Sequence, residues 1–221
     1  MGLDMYLERF PRYKNYGPED IRNFEEWIEW KNEPKAREYT FVEWCHGDES
    51  KLPCLDDRKY LSQFISTKYW DWDDKHHYPH DRIYEQVCYW RKTNCVHKWF
   101  VDHVQDGIDD CDYHHEVTEE ILRELVGICE EILKDAVLVK GKIRNGYRIE
   151  NGKEVPNMVD GMFVANPEVC EDLPTQSGFF FGGTEYDEYY IGGVRYTYEK
   201  LSKVLEETDF KSQMLYYCSS W

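Results

Sequence analysis

The sequence has no apolar run long enough to cross a bilayer, and it has too few basic residues to balance its acidic ones. A membrane-spanning helix needs about 20 predominantly apolar residues in succession, and no segment of the 221-residue chain approaches that length. The chain contains 27 Lys and Arg against 44 Asp and Glu, a formal net charge of −17. Proteins that coat nucleic acid need clustered cations. The composition therefore predicts neither a membrane partner nor direct nucleic-acid binding.

Several motifs of catalytic and metal-binding proteins are also missing. The eight cysteines form no Cys-x-x-Cys pair, which argues against a zinc ribbon and a thioredoxin-like site. The chain has neither a P-loop nor a dinucleotide-binding glycine fingerprint. It begins MGLDMYLERF, which is unlike a signal peptide. We therefore expect reduced cysteines and a cytoplasmic protein.

Aromatic residues, by contrast, are abundant, and the hydrophobic pattern predicts both helices and strands. The chain has 8 Trp, 18 Tyr and 10 Phe, whereas disordered chains are poor in aromatic residues. Leu3, Met5 and Leu7 alternate with polar residues, as in a half-buried strand. Helical spacing of apolar residues recurs in the ranges 19–30, 82–104, 118–134 and 194–205.

The remaining segments predict strands, a hairpin and a loop. Asn-Gly pairs at 145–146 and 151–152 lie between β-prone runs and predict a hairpin in an inserted segment, residues 136–172. Residues 178–182 (GFFFG) predict a buried strand, and residues 70–81 a loop. Helices and strands do not alternate regularly. We predict one α+β domain over residues 1–221, with a mixed, largely antiparallel sheet packed by three main helices and a β-hairpin insertion.

The predicted helix over residues 82–104 carries polar side chains on its apolar face. At about 100° per residue, Asn94 and His97 fall within the apolar sector, and Arg91 and Lys98 share one of its edges. Burying Asn94 and His97 costs roughly 1–3 kcal/mol each unless they find partners. Such a helix is either bonded internally or lines a site.

The local charge also changes sharply along this part of the chain. Residues 87–100 contain three Lys or Arg and no acid, whereas residues 101–135 contain twelve acids against two basic residues, a net charge of −10. Arg91 and Lys98 could bind a small anion or nucleotide on which Trp90 stacks. Alternatively, the basic residues pair with the acidic segment, and Asn94 and His97 bond to the backbone.

A second candidate segment, LPTQSG, precedes the predicted strand over residues 178–182. Thr175 and Ser177 offer hydroxyl groups at the strand entrance, and Tyr186 and Asp187 follow the strand and could close over a pocket. We assign no catalytic residue, metal ligand or cofactor. The full set of candidate ligand-binding residues is Trp90, Arg91, Asn94, His97, Lys98, Thr175, Ser177, Tyr186 and Asp187.

A hydrolase or metal-dependent enzyme stays open as an alternative, although the pattern leans towards a protein without catalytic activity. His76, His77, His80 and the pair at 114–115 are residues that suit zinc or iron, but Pro79 interrupts the first cluster. The aspartates of residues 106–112 lack the alternation of a calcium-binding EF-hand loop. Ser177 has no nucleophile-elbow context.

Three segments resemble a known family. They are MGLDMYL at the start, YWRKTNCVHKWF in the predicted central helix and LPTQSGFFFGGTEYDEYY late in the chain. Together they are similar to a family of small bacteriophage and prophage proteins of unassigned function. The resemblance implies work in the cytoplasm of a bacterial host and brings no catalytic assignment. It also implies that the long connector over residues 136–172 is particular to this branch.

Two functional hypotheses follow. In the first, the protein is a non-enzymatic phage accessory protein that binds a small anionic or nucleotide-like host molecule and acts against host defence by sequestering that signal. In the second, it is an acidic protein-interaction inhibitor that imitates nucleic-acid charge in the basic groove of a host nuclease or defence effector. Self-association into a homo-oligomer is compatible with both.

Overall fold

The computed structural model describes residues 2–32, 55–73, 76–111 and 113–221, and of residues 29, 32, 55, 56, 58 and 66–81 only the backbone. The helices are α1 Pro18–Asn32, α2 Leu55–Leu61, α3 Asn94–Val104, α4 Glu119–Asp135 and α5 Glu188–Glu207. The strands are β1 Asp4–Pro11, β2 Ser66–Asp73, β3 His76–Arg82, β4 Glu85–Arg91, β5 His115–Val117, β6 Leu138–Glu150, β7 Lys153–Val164 and β8 Gln213–Ser220. These helices and antiparallel sheets confirm the predicted α+β fold. None of the described helices is both long and apolar enough to cross a bilayer.

The chain divides into two compact units. Unit 1 comprises residues 1–7, 87–208 and 217–221, and unit 2 comprises residues 8–86 and 209–216. The largest sheet has the strand order β4-β1-β8-β5, and β2–β3 and β6–β7 each form a two-stranded sheet. Unit 1 holds α3, α4, α5 and the β6–β7 hairpin, whereas unit 2 holds α1, α2 and the β2–β3 hairpin.

In unit 1, α4 and α5 pack against each other and both begin at a side-chain cap. The Thr118 hydroxyl accepts a hydrogen bond from the Ile121 N–H at 3.3 Å, and the Asp187 carboxylate accepts bonds from the first turn of α5. Caps of this kind satisfy backbone donors that have no partner within the helix. The buried stripe of α4 is Leu122, Leu125, Cys129 and Ile132.

The β6–β7 hairpin also belongs to unit 1 and has the predicted turn. Asn151 and Gly152 form it, with φ values of 52° and 73°, which Asn and Gly tolerate best. The second Asn-Gly pair, Asn145-Gly146, lies within β6 instead, where the strand register shifts between Arg144 and Tyr147. One extra residue at such a position is a β-bulge.

Unit 2 contains a hairpin where the sequence predicts a loop. Strands β2 and β3 pair antiparallel, with Ser66 opposite Arg82, so the prediction of a loop over residues 70–81 is wrong. Pairing between strands supplies backbone hydrogen bonds that do not depend on a regular apolar period. The core of this unit is built from Phe10, Ile21, Phe24, Ile28, Leu61, Ile83, Met214 and Tyr216.

The segment predicted as one helix over residues 82–104 is a strand, a turn and a helix. In β4, Cys88 and Trp90 are buried and alternate with more exposed residues, which is the period of a strand. Lys92 then has a left-handed φ of 58°, which ends β4 before α3. The Lys92 N–H donates to the Leu3 carbonyl at 2.8 Å, which ties this turn to the first strand. The apolar spacing here fits both a helix and a strand, and pairing with the first strand selects the strand.

The predicted buried strand over residues 178–182 is a turn. Phe179 is 80 % exposed and Phe180 is 49 % exposed, whereas Phe181 is buried. Phe180 has a φ of 65°, a left-handed conformation that a bulky residue rarely adopts. An apolar run forms a buried strand only if both faces find neighbours, and here two of the three rings lie in solvent.

The described cysteines behave as the sequence predicts. Six of them are free, five of these are buried, and Cys45 and Cys54 lie outside the described residues. Burial raises the pKa of Cys88 and Cys95 to about 12. These thiols are therefore protonated at neutral pH and contribute to the core as small apolar groups.

Candidate functional site

Asn94, the first residue of α3, holds a loop. Its Nδ2 donates to the Phe181 carbonyl at 3.1 Å and to the Gly183 carbonyl at 2.8 Å. Its Oδ1 accepts a hydrogen bond from the Gln176 N–H at 3.0 Å. The side chain is 3 % exposed. The burial of this amide is thus compensated by three backbone partners, all within residues 176–183.

His97, one turn further along α3, is also bonded internally. The Tyr217 hydroxyl lies 2.8 Å from its Nδ1, and an Asp109 oxygen lies 3.1 Å from its Nε2. Since a carboxylate only accepts, this arrangement assigns the ring proton to Nε2 and makes Nδ1 the acceptor. Burial lowers the pKa of His97, although the hydrogen bond and charge of Asp109 oppose the shift. The imidazole is 0 % exposed.

The other predicted residues of this segment are also paired within the protein. Trp90 is 1 % exposed and its Nε1 donates to the Thr197 hydroxyl at 2.9 Å, so it cannot stack on a ligand. Arg91 ends β4 and lies 4.0 Å from Asp4, and the Lys98 ammonium bonds to Asp102 at 2.6 Å. Because Arg91 and Lys98 lie on different elements, the shared helix edge predicted for them does not exist.

The late candidate residues form the loop that Asn94 holds and the start of α5. The Thr175 hydroxyl donates to the Thr184 carbonyl at 3.0 Å, and Ser177 is exposed. The Tyr186 carbonyl accepts from the N–H of β7 residue 164 at 2.9 Å. Asp187 caps α5, and burial raises its pKa. The two predicted segments therefore meet, through direct hydrogen bonds that stabilise the loop.

The structure describes only part of the histidine and aspartate clusters. His115 Nε2 lies 2.9 Å from Asp110 Oδ1, and the Gln105 amide also donates to that oxygen at 2.9 Å. These contacts bind the acidic turn after α3 to β5. The side chains of His76, His77 and His80, together with Asp112, lie outside the described residues.

A pocket in unit 2 is surrounded by charged residues that are not among the candidates predicted from the sequence. The pocket is open and has a volume of about 400 Å³. Its lining consists of three side chains of α1 and two from the end of β3 and the turn after it: Arg22, Glu25, Glu26, Arg82 and Tyr84. The structure thus brings together residues about 60 positions apart in the chain.

Two guanidinium groups converge on one aromatic ring at this pocket. The guanidinium carbon of Arg22 lies 5.7 Å from the centre of the Tyr84 ring, and that of Arg82 lies 5.4 Å from it. Arg82 also donates to the Tyr84 hydroxyl at 3.1 Å. Phe10 stacks on the same ring at 4.9 Å. Cation–π contacts and stacking therefore fix the ring and both cations.

Buried carboxylates position the two guanidinium groups. Glu25, 3 % exposed, accepts hydrogen bonds from the Ile83 N–H at 2.7 Å and from Arg82 at 3.2 Å. Burial raises the pKa of Glu25. Glu8 accepts from Arg22 at 3.3 Å. Because the side chains of Arg22 and Arg82 are 42 % and 30 % exposed, both also reach solvent.

The sequence did contain an indication of this pocket. On the helical wheel of α1, Glu25 lies about 40° from Ile21, within the apolar face that also carries Phe24. A carboxylate in that position needs partners, as Asn94 does. Its partners come from residues 82–84, however, and only the fold brings them there.

Comparison with protein-family models, with curated proteins and with solved structures finds no match to this chain. The resemblance to bacteriophage proteins therefore stays a prediction from three short segments.

Proposed function

We propose that the protein binds a small molecule of the nucleotide type in the pocket of unit 2. One observation carries this proposal: Arg22 and Arg82 both contact the Tyr84 ring at a pocket of about 400 Å³. Guanidinium groups bind phosphate and carboxylate oxygens through paired hydrogen bonds. Pockets for small ligands have volumes of about 300–1,000 Å³. This places the ligand at different residues from those predicted from the sequence.

The acidic side chains of the pocket narrow the chemistry of the ligand. Glu25 and Glu26 lie in the same lining as the two arginines. A compact anion would meet repulsion from these carboxylates. A nucleoside phosphate combines an anionic group for Arg22 and Arg82 with amine donors that a glutamate can accept. The proposed ligand therefore carries both a negative charge and hydrogen-bond donors.

The biological setting of this proposal comes from the resemblance to phage proteins. We propose that the ligand is a host-derived signal, that the protein sequesters it in the cytoplasm of a bacterial host, and that host defence is weakened as a result. The proposal includes no catalytic step. Sequestration needs only affinity and sufficient protein, and rigid positioning of Arg22 and Arg82 favours affinity because less side-chain entropy is lost on binding.

The proposal is tested by calorimetric titration with inorganic phosphate, nucleoside monophosphates and cyclic dinucleotides. We expect a nucleotide to bind and inorganic phosphate to bind more weakly. Arg22→Ala should weaken binding at least about tenfold, since a charge-assisted hydrogen bond contributes about 1.5–3 kcal/mol. Arg82→Lys should do the same, because lysine keeps the charge but loses the planar fork.

Arg91→Ala is the matched control, since Arg91 is an exposed arginine of unit 1 and is expected to leave binding unchanged. Circular dichroism of each variant verifies its fold. Absence of binding by every probe, or equal affinity of the Arg22→Ala and wild-type proteins, would contradict the proposal.

An acidic row on α4 favours a second function, the imitation of nucleic acid. Glu120, Glu124, Glu131 and Asp135 are exposed and fall within about 60° of one another around the helix axis. At about 1.5 Å per residue they extend over about 22 Å. We propose as an alternative that this row occupies the basic groove of a host nuclease or defence effector.

This alternative predicts inhibition that weakens as salt rises. The assay measures DNA cleavage by restriction-type nucleases of the host with and without the protein, at about 0.05 M and about 0.3 M NaCl. Combining Glu124→Lys and Glu131→Lys should abolish inhibition. Glu150→Lys with Glu154→Lys makes the same charge change on the hairpin and should not. Equal inhibition by both double variants, or no inhibition at either salt concentration, would exclude the acidic row.

A further inference from the structure

The lining of the pocket in unit 2 contains two adjacent carboxylates that differ in their access to a ligand. Glu25 is 3 % exposed, and it accepts hydrogen bonds from the Ile83 N–H at 2.7 Å and from Arg82 at 3.2 Å. Glu26, the next residue of α1, belongs to the same lining and is only half-buried. A molecule in the pocket therefore reaches Glu26 more readily than Glu25, whereas Glu25 positions Arg82.

Glu26 lies one helical turn from Arg22. Side chains four residues apart are neighbours on a helix surface, with about 5–6 Å between their Cβ atoms. Both residues line the pocket, and the Arg22 side chain is 42 % exposed. A ligand in this position meets a guanidinium group and a carboxylate side by side. Its anionic group and its hydrogen-bond donors must therefore lie close together.

A 5′-ribonucleotide has its phosphate and a pair of donors on the same sugar. The 2′ and 3′ hydroxyls form a vicinal diol on the ribose that carries the phosphate, and the hydrogen-bonding edge of the base lies further away. An ionised carboxylate has two acceptor oxygens and no donor, so it can accept one hydrogen bond from each hydroxyl. In dinucleotide-binding proteins an Asp or Glu side chain binds the ribose 2′ hydroxyl. The sugar therefore fits the Arg22–Glu26 spacing better than the base does.

The surroundings of Tyr84 argue against recognition of the base by stacking. Among the described residues of the lining, Tyr84 is the only aromatic one. Phe10 stacks on its ring at 4.9 Å with an interplanar angle of 17°, and both guanidinium groups lie over the ring within 5.7 Å. An aromatic side chain binds a base through an open ring face. Since neighbours already cover the Tyr84 ring, we expect the kind of base to affect affinity little.

We propose that the pocket of unit 2 binds ribonucleotides in preference to deoxyribonucleotides, with the 2′ and 3′ hydroxyls donating to Glu26. The phosphate then lies at Arg22 and Arg82. This preference rests on the proposed function, the binding of a nucleotide in the same pocket, and specifies the sugar as the part that is recognised. Its physical cause is the loss of a charge-assisted hydrogen bond when a hydroxyl is removed, which leaves a carboxylate oxygen without that donor.

The test is calorimetric titration of the full-length protein with adenosine and guanosine 5′-monophosphates and with their 2′-deoxy and 2′,3′-dideoxy analogues. Each 2′-deoxy analogue should bind about tenfold more weakly than its ribonucleotide, because one hydrogen bond to a charged group is lost. The dideoxy analogues should bind more weakly still. The adenosine and guanosine compounds should bind with similar affinity.

A substitution at Glu26 assigns the preference to this residue. Glu26→Ala should bring the ratio of ribonucleotide to deoxyribonucleotide affinity to about one. A purely structural disturbance of the pocket weakens both ligands and leaves their ratio unchanged. Glu19→Ala is the matched control, since Glu19 is an exposed glutamate of the same helix outside the lining, and it should keep the ratio of the wild type.

The outcomes separate this preference from the proposed function. Equal affinity for a ribonucleotide and its deoxy analogue would overturn the preference and leave the nucleotide site in place. A ratio that Glu26→Ala does not alter would overturn it too, as would a strong preference for one base that the deoxy analogues retain. Absence of binding by every nucleotide would contradict the proposed function, and the sugar preference would fall with it.

Discussion

Three buried polar residues, Asn94, His97 and Glu25, share one property. Each forms its side-chain hydrogen bonds with residues outside its own helix. Asn94 bonds to backbone groups of residues 176–183, and His97 bonds to Tyr217 and Asp109. Glu25 bonds to the turn after β3 and to Arg82. The first two connect elements of the core, whereas Glu25 also holds a cation at the rim of a pocket. Of the three, Glu25 alone is part of the lining of the pocket in unit 2.

Replacement of Asn94 tests this structural role. Asn94→Ala removes three hydrogen bonds and leaves the backbone groups of Gln176, Phe181 and Gly183 without them. We expect the free energy of unfolding to fall by about 2–4 kcal/mol, as measured by urea denaturation. Ser177→Ala, at an exposed position of the same loop, should change it by less than about 0.5 kcal/mol. A loss as small as that of Ser177→Ala would show that Asn94 does not hold the loop.

At the scale of elements, helices with a strong apolar stripe and a cap were predictable, and short apolar runs were not. The stripe and the Thr118 cap of α4 are local features, and the helix begins where they indicate. The turn at Asn151-Gly152 is equally local, since it depends on two residues that tolerate a positive φ. The GFFFG segment, by contrast, needed neighbours on both faces to become a strand, and it forms a turn.

The boundary between β4 and α3 was likewise not predictable from the local sequence. Residues 85–91 have apolar side chains at positions that fit both 100° and 180° periods. Hydrogen bonding beside the first strand favours the extended form, and Lys92 changes the chain direction before α3 begins. Arg91 consequently lies on a strand and Lys98 on a helix, which separates two cations that the sequence placed together.

At the scale of the whole molecule, the net charge is shared unequally between the units. Unit 1 has a net charge of −12, and unit 2, with 19 acidic and 14 basic residues, has −5. Like charges confined to a folded unit repel one another more strongly than in an expanded chain. This repulsion costs stability at low ionic strength, where it is least screened.

We therefore expect salt to stabilise the protein. The midpoint of thermal unfolding should rise between about 0.01 M and about 0.15 M NaCl, as the Debye length falls from about 30 Å to about 8 Å. A variant that combines Glu124→Gln with Glu131→Gln carries less charge and should show a smaller rise. A neutral solute of equal osmolality serves as the control. A midpoint that stays constant or falls with added NaCl would contradict the expectation.

Local sequence patterns were sufficient to predict the mixed α+β class, the helices α1, α4 and α5, the hairpin turn and the free cysteines among the described residues. Each of these depends on local periodicity, capping, turn chemistry or simple burial. The partners of Asn94 and His97, and the pocket lined by Arg22, Arg82 and Tyr84, follow from long-range packing instead. Those contacts join residues far apart in the chain. A polar residue on an apolar face indicates that a partner is needed, but the sequence does not indicate which residue that partner is. The acidic excess is visible from composition, and helical spacing gathers part of it into a row on α4.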